Sequence, residues 1–428
     1  MKEYSFDIEF ITPLFMSGAD QQDAELRAPS IKGAMRYWFR AMMGKVLNDD
    51  WKTIRIKENE IFGSTLDQSN SKASDVSIEL REIKVNKVDR NKAKAVPFFT
   101  QKTQGILYLG FSFYKWDKNS KQYQLNRNFI NTGSTFNITL ANRPGTKNEV
   151  LDVACACLWL LENFGAVGSR SRRGFGSFRI KQTNSNLSKL NFDKPQMIGD
   201  FGRYFTENIK VIEKIFSDYV GLSSSTYMTD RKQVMSEYDS FSCRHGSIIG
   251  NSSNKGWNSW EEALDFIGCE LRKVRTQPNT QPGSRSKTID YCKYISPYLD
   301  NKANEPIDLV NDIFGLPIQF RSSQRKAAAM VTWSHRDRND KPASKEGDNR
   351  RASPLIIKPF LCDKEYYLLL QYFESQFLPD DSDEIIRPVK KGWPKGKPTP
   401  LELKIKKADY GKVKFFVDEF KRQQISSF

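Results

Sequence analysis

Gly165-Ala-Val-Gly-Ser-Arg-Ser-Arg-Arg-Gly-Phe-Gly-Ser-Phe-Arg179 joins an apolar run, Val150 to Leu161, to the alternating stretch Gly176 to Lys181. The run is long enough for a buried helix, and Phe178 and Ile180 keep the period of a strand, so the segment reads as a helix-to-strand loop. Nucleotide-gripping phosphate loops run the other way, from strand to helix. A Walker loop also needs Lys-Ser/Thr after its last glycine, whereas Phe175 follows Gly174. Four glycines let the main chain enter positive φ and approach a ligand closely. Arg170, Arg172 and Arg173 add forked donors suited to phosphate, and no acid lies within the segment to pair with them. Gly168, Gly174 and Gly176, with the three arginines, are therefore candidate RNA-backbone contacts, and Phe175 is a candidate stacking surface for a base. The competing reading is a solvated basic turn.

The elements on either side extend the pattern. Strand Tyr4–Ile11, helix Ser30–Gly44, strands Val76–Lys84, Ile106–Tyr114 and Ser134–Leu140, helix Lys147–Asn163 and strand Gly176–Lys181 follow in order. Apart from one extra strand this is βαββαβ, which predicts an α+β, ferredoxin-like module: an antiparallel sheet with helices on one face. In the first helix Ile31, Ala34, Met35, Trp38 and Met42 share a side, while Lys32, Arg36 and Arg40 recur at i, i+4, i+8 on the other. No acid occurs from Leu26 to Lys45, so this stripe, with Arg27 just before it, is a second candidate phosphate-binding face. An ordinary solvated face is the alternative.

Residues 1–185 make up this first domain. A polar stretch, 186–255, connects it to a second module, 256–428, whose landmarks echo the first. Ile61-Phe62-Gly63 precedes Ala73-Ser74, and Ile313-Phe314-Gly315 precedes Ala352-Ser353. Two short matches in the same order predict a duplicated module, with Trp257 to Arg275 as a helix of the second copy. That copy carries a basic insertion ending in Arg350 and Arg351, both candidate RNA contacts. It also carries a basic tail, Arg387 to Lys414, with ten cations and two acids.

The whole chain has 428 residues, with 67 Lys and Arg against 51 acids, a formal charge of +16. Such a balance favours a polyanionic partner. The 38% hydrophobic content suits folded domains, and the longest apolar stretch, Val153 to Leu161, is too short to span a bilayer. A cytoplasmic, membrane-free protein is expected. Six cysteines form no Cys-x-x-Cys pair, and the two histidines, His245 and His335, keep no metal-ligand spacing. No metal or cofactor is therefore implied, and Cys155 and Cys157 read as core thiols.

Ile11-Thr12-Pro13-Leu14-Phe15, with Gly18-Ala19-Asp20 and then Leu26-Arg27-Ala28-Pro29-Ser30-Ile31-Lys32-Gly33-Ala34-Met35-Arg36-Tyr37-Trp38-Phe39-Arg40, resembles the opening of RAMP proteins of the CRISPR Cmr system. The Gly168–Gly176 loop matches the RAMP glycine-rich loop. Phe314-Gly315-Leu316-Pro317-Ile318 and Arg351-Ala352-Ser353-Pro354-Leu355 resemble the second half of the large, two-module first subunit. The resemblance implies two RAMP modules in a non-catalytic subunit of the type III-B effector complex, an antiviral ribonucleoprotein. Its place would be near the 3′ region of the guide crRNA, helping to capture single-stranded target RNA beside other Cmr subunits, the backbone RAMP subunit above all. An enzymatic alternative makes Asp20 and Asp23 the centre of a metal-dependent endoribonuclease. A guide-processing ribonuclease is disfavoured by the absence of histidine before His245, and a protein-binding scaffold is the reading from another class.

Overall fold

The computed structural model describes residues 2–19, 23–64, 71–92, 96, 98–183, 190–222, 236–276, 312–315, 318–322, 327–335, 351–378, 382–388, 403–405 and 410–427. The chain opens with β1 (Glu3–Phe10), α1 (Ala28–Val46), α2 (Trp51–Phe62), β2 (Val76–Lys84), β3 (Lys87–Val88), α3 (Gln104–Leu109), β4 (Tyr114–Asp117), β5 (Gln122–Leu125) and β6 (Phe129–Ile130). β7 (Thr135–Asn142), α4 (Asn148–Phe164) and β8 (Phe178–Thr183) complete the first module. Its sheet has the order β2-β7-β1-β8, antiparallel throughout. This is the 2-3-1-4 arrangement of a ferredoxin-like fold. Alternation makes it so: Tyr4, Phe6, Ile8 and Phe10 are all buried on one face of β1, against the apolar stripe of α1 that includes Ile31, Met35, Trp38 and Met42.

Helix α4 is apolar all round because it is covered all round. α5 (Phe201–Val220) packs on it through Tyr204 and Phe205, and Trp159 of α4 donates its indole N–H to the Asn191 carbonyl at 2.9 Å. The stretch 186–255 therefore does more than connect, since α5 buries Phe201, Ile212, Ile215 and Phe216 in the same core. Cys155 and Cys157 lie wholly inside that core, where burial pushes their thiols up from the ordinary cysteine range.

The second module runs β9 (Arg244–Ile249), α6 (Trp260–Thr276), then β10 (Ile318–Ser322) and β11 (Ala327–His335), then β12 (Ile356–Cys362) and β13 (Glu365–Phe373). β14 (Ser382–Pro388), β15 (Leu403–Ile405), α7 (Gly411–Asp418) and β16 (Gln424–Ser427) follow. Taking β9-α6-β12-β13-α7-β16 as the βαββαβ frame, the sheet order β12-β13-β9-β16 is again 2-3-1-4. The remaining strands make a separate antiparallel sheet, β10-β11-β14-β15. The stretch read as a basic insertion thus contributes β11, and the one read as a basic tail contributes the end of β14 and β15.

Duplication shows at atomic detail. Gly63 and Gly315 both have positive φ, +81° and +113°. A Cβ on Gly63 would stand 2.8 Å from the Lys72 carbonyl oxygen and 2.9 Å from Ser74 N; one on Gly315 would stand 3.2 Å from the Arg351 carbonyl oxygen and 3.1 Å from Ser353 N. The same glycine meets the same basic-Ala-Ser turn in each copy.

Two compact units result: Met1–Cys269 with Ile356–Ser375 and Phe420–Phe428, and Glu270–Leu355 with Gln376–Glu419. The division follows space rather than chain order. Within the first unit the two ferredoxin-like sheets are joined where Arg173 bridges Ile357 in parallel, Ile357 N–H donating to the Arg172 carbonyl at 3.1 Å. Among the described residues no helix is long and apolar enough to cross a membrane.

One expected strand is absent. Ile106–Tyr114 is not extended: Gln104–Leu109 is helical and only Tyr114–Asp117 is a strand, paired with β5. A short apolar run is ambiguous in period, and a distant residue decides it. The Asp265 carboxylate accepts from the N–H groups of Gly105 (2.8 Å) and Ile106 (3.2 Å), capping α3 from α6. The helices touch so closely that a Cβ on Gly268 would lie 2.3 Å from the Gly105 carbonyl oxygen. Helix propensity alone would make Gly268→Ala stabilising by about 1 kcal/mol. Overpacking of about 1–3 kcal/mol should reverse the sign, and a urea midpoint that rises in the variant would contradict that close approach.

Candidate nucleic-acid interface

The glycine-rich loop folds onto the segment that follows β1. Ser169 N–H donates to the Phe15 carbonyl (2.8 Å), Gly176 N–H to the Pro13 carbonyl (2.9 Å) and Val167 N–H to the Gly176 carbonyl (3.1 Å). Thr12, fully buried, donates its hydroxyl to the Gly174 carbonyl (2.8 Å) and accepts from Ser177 N–H (2.9 Å). The glycines serve this closeness: a Cβ on Gly176 would stand 1.9 Å from the Val167 carbonyl oxygen, and one on Gly168 would stand 2.8 Å from that of Phe15. Protein backbone, not ligand, makes the approach that excludes a side chain at these positions.

The arginines of the loop divide. Arg172 is held by a partner the segment does not contain: its guanidinium contacts Asp239 at 3.2 Å and lies 5.0 Å over the Tyr37 ring. Asp239 also accepts from the Tyr37 hydroxyl (2.7 Å) and the Ser375 hydroxyl (2.8 Å). The expectation that an acid-free segment leaves its arginines for phosphate fails here, because ion pairs form in space and not along the chain. Arg170, at φ +60° and exposed, donates to the Phe111 carbonyl at 2.9 Å. Arg173 carries the bridge to Ile357. Phe175 cannot stack on a base. It is completely buried, edge-on to Phe15 and Phe113 at 5.7 and 5.4 Å.

Beside the loop lies a groove of about 480 Å³ lined by Ser17, Ser30, Gly168, Ser169, Ser171 and the exposed Arg127. No Asp or Glu is among its described lining residues. Hydroxyls and one guanidinium around a glycine-bearing backbone suit an anionic strand. A larger groove of about 830 Å³ lies between α1 and α2. Lys32, Arg36 and Arg40 line it from α1, Lys52 and Arg55 from α2, with Lys72 and Arg143 beyond. Here the stripe meets an acid supplied by α2. Glu58, nearly buried, contacts Arg36 at 2.5 Å and Arg40 at 2.8 Å, and Arg36 also donates to the Gly63 carbonyl (3.0 Å) and the Asn59 side chain (3.3 Å). Arg36 is thereby a clamp between the two helices. Lys32 is held below the usual lysine range, first by burial and then by the guanidiniums of Arg36 and Arg143. The two grooves use different sides of α1, Ser30 and Ala34 facing one, Lys32, Arg36 and Arg40 the other.

The remaining expectations scatter. Arg27 precedes α1 and pairs with Glu25 at 3.1 Å. Arg351 donates to the Gln376 carbonyl at 2.8 Å and lies 5.8 Å from the Phe377 ring centre, in the second unit. Arg350 and Asp20 lie outside the described residues. Asp23 accepts from Ala24 N–H (2.8 Å) and reaches Lys87 at 3.6 Å. Among the described residues no three His, Cys, Asp or Glu side chains cluster as metal ligands would.

Residues 7–179 match the family model of the RAMP superfamily. Cmr subunit Cmr1-2 of Pyrococcus furiosus is 32% identical over 192 residues, covering 44% of this chain and all of that protein. The chain belongs to the RAMP superfamily, among the Cmr1 subunits. Cmr1-1 of the same organism is 28% identical over 264 residues, 61% of this chain and 69% of that protein. The crystal structure of apo Cmr1 from Pyrococcus furiosus aligns with a TM-score of 0.57 at 19% identity over 99% of both chains, a likeness that speaks for the fold.

Sequence reasoning about this RAMP chain missed Arg127, Arg143, Lys52, Arg55 and Asp239. None sits in a motif, and each enters through a turn or a neighbouring helix. Removing the Arg172 side chain leaves Asp239 short of a charged partner, so Arg172→Ala should cost about 1.5–3 kcal/mol, whereas Arg170→Ala should stay within about 0.5 kcal/mol. Chemical denaturation of the two variants side by side checks this ordering.

Proposed function

We propose that the chain is an RNA-binding, non-catalytic subunit of a type III-B CRISPR (Cmr) effector complex. It engages the 3′ region of the guide crRNA, helps to capture single-stranded target RNA, and packs beside other Cmr subunits, the backbone RAMP subunit among them. The observation that carries this reading is the acid-free groove of Ser17, Ser30, Ser169, Ser171 and Arg127 along the glycine-rich loop, on a chain whose Cmr1-2 relative is named a Cmr subunit. Backbone amides, hydroxyls and guanidiniums recognise phosphates and ribose without reading bases, so binding should be tolerant of sequence.

Neutralising two phosphates of a single strand contributes roughly 1.4 to the slope of log K against log salt. Arg127→Ala with Arg170→Ala should flatten the slope by about that amount, equally for unrelated RNA sequences. An unchanged slope in the folded double variant would remove the groove from the interface. The enzymatic alternative has its own test. Purified chain with Mg²⁺ or Mn²⁺ should leave labelled RNA intact, and metal-dependent products abolished by Asp20→Ala would make the chain a nuclease.

A further inference from the structure

The α1–α2 groove stands apart from the glycine-rich loop, and its chemistry is more specific than a basic surface. Among the described residues its one lining acid, Glu58, is already engaged by Arg36 and Arg40, and Lys72 turns to Asp75 at 3.2 Å. Lys32, Lys52, Arg55 and Arg143 have no acid within ion-pair distance among the described residues. Burial and two neighbouring guanidiniums already work against the charge of Lys32, so an anion bound there would relieve an existing repulsion. At the other end the groove is aromatic. Trp51 and Tyr238 meet edge-to-face with ring centres 4.6 Å apart, and Tyr238 is 46% exposed. The indole N–H of Trp51 is buried without an acceptor among the described residues, which leaves a donor for a carbonyl, ring nitrogen or phosphate oxygen. A volume of about 830 Å³ accommodates a small-molecule-sized ligand, whereas a duplex is far too wide.

We propose that this groove is a pocket for one unstacked nucleotide of single-stranded RNA, its base against Trp51 and Tyr238 and its phosphate on Lys32 and Arg143. The inference rests on the RNA-binding reading above and names the unit that one site takes. Aromatic faces accept any base, so the pocket holds a terminal or extruded nucleotide by its shape and charge. An acidic peptide would satisfy the cations but would leave the aromatic end unused.

Calorimetric titration of the full chain with 5′-AMP, 5′-UMP, adenosine and inorganic phosphate tests it. Both nucleotides should bind more tightly than phosphate or adenosine alone. Tyr238→Ala, at an exposed ring, should weaken AMP roughly tenfold through lost stacking. Lys32→Gln should weaken AMP and phosphate together, and Arg170→Ala should leave AMP unchanged. A single-stranded RNA should displace AMP. Phosphate binding as well as AMP, or AMP affinity indifferent to both Tyr238→Ala and Lys32→Gln, overturns the nucleotide pocket. RNA that binds with wild-type affinity without displacing AMP overturns the pocket and leaves the RNA-binding reading standing; failure to bind RNA at all overturns both.

Discussion

The close approach between the glycine-rich loop and the chain leaving β1 is the constraint on which the rest of the first unit depends. Two carbonyl–amide contacts tie Pro13 and Phe15 to the loop, and the buried Thr12 hydroxyl adds a third link, at a separation that admits no Cβ on Gly168. From that junction β8 is launched beside β1, while the Arg172 carbonyl and Arg173 accept β12, an edge strand of the second module's sheet. The loop therefore sets the relation of the two ferredoxin-like sheets and borders the serine-lined groove.

Charge is distributed with similar economy. A net of +16 does not mean that every cation faces a ligand. Glu58 anchors Arg36 and Arg40, Asp239 anchors Arg172, and Glu213 pairs with Lys45, each acid arriving from another element. Deeper in the first unit, Lys194 contacts the buried Glu162 at 3.0 Å, and burial lowers the pKa of Lys194 and, nearby, of Lys358. Cations serving structure and those left for an anion differ only in what has folded next to them. Around α1 that contrast separates Arg36, held by three partners, from Lys32 one turn away, pressed by like charge.

Repetition of the ferredoxin-like frame explains why one RAMP chain carries so much structure outside its two sheets. In the first copy a hairpin and α3 occupy the connection between the second and third strands; in the second, β10 and β11 precede the second strand and β14 and β15 follow the third. Both frames tolerate these additions because they enter at loops, where no sheet hydrogen bond is broken. The turn at Gly63 and its counterpart at Gly315 survive because each glycine holds a positive φ while its Cα faces the backbone of a basic-Ala-Ser segment at close range.

Periodicity alone determined β1, α1, β2, β7, α4 and β8, and with them the α+β frame, because each buries one face or both and so writes its period into the residues. The family motifs of Ile11–Arg40 and the glycine-rich loop, and the echo of Gly63 in Gly315, were equally legible, since each rests on local backbone geometry. Tertiary structure alone decided that Gln104–Leu109 is a helix, because its cap, Asp265, is a residue of α6. It also turned Phe175 inward and gave Arg172 an acid from residue 239, while leaving Arg127 exposed beside the serines. Helix periods and turns are properties of neighbours in the chain. Ion pairs, burial and grooves are properties of neighbours in space, and only the folded arrangement brings those together.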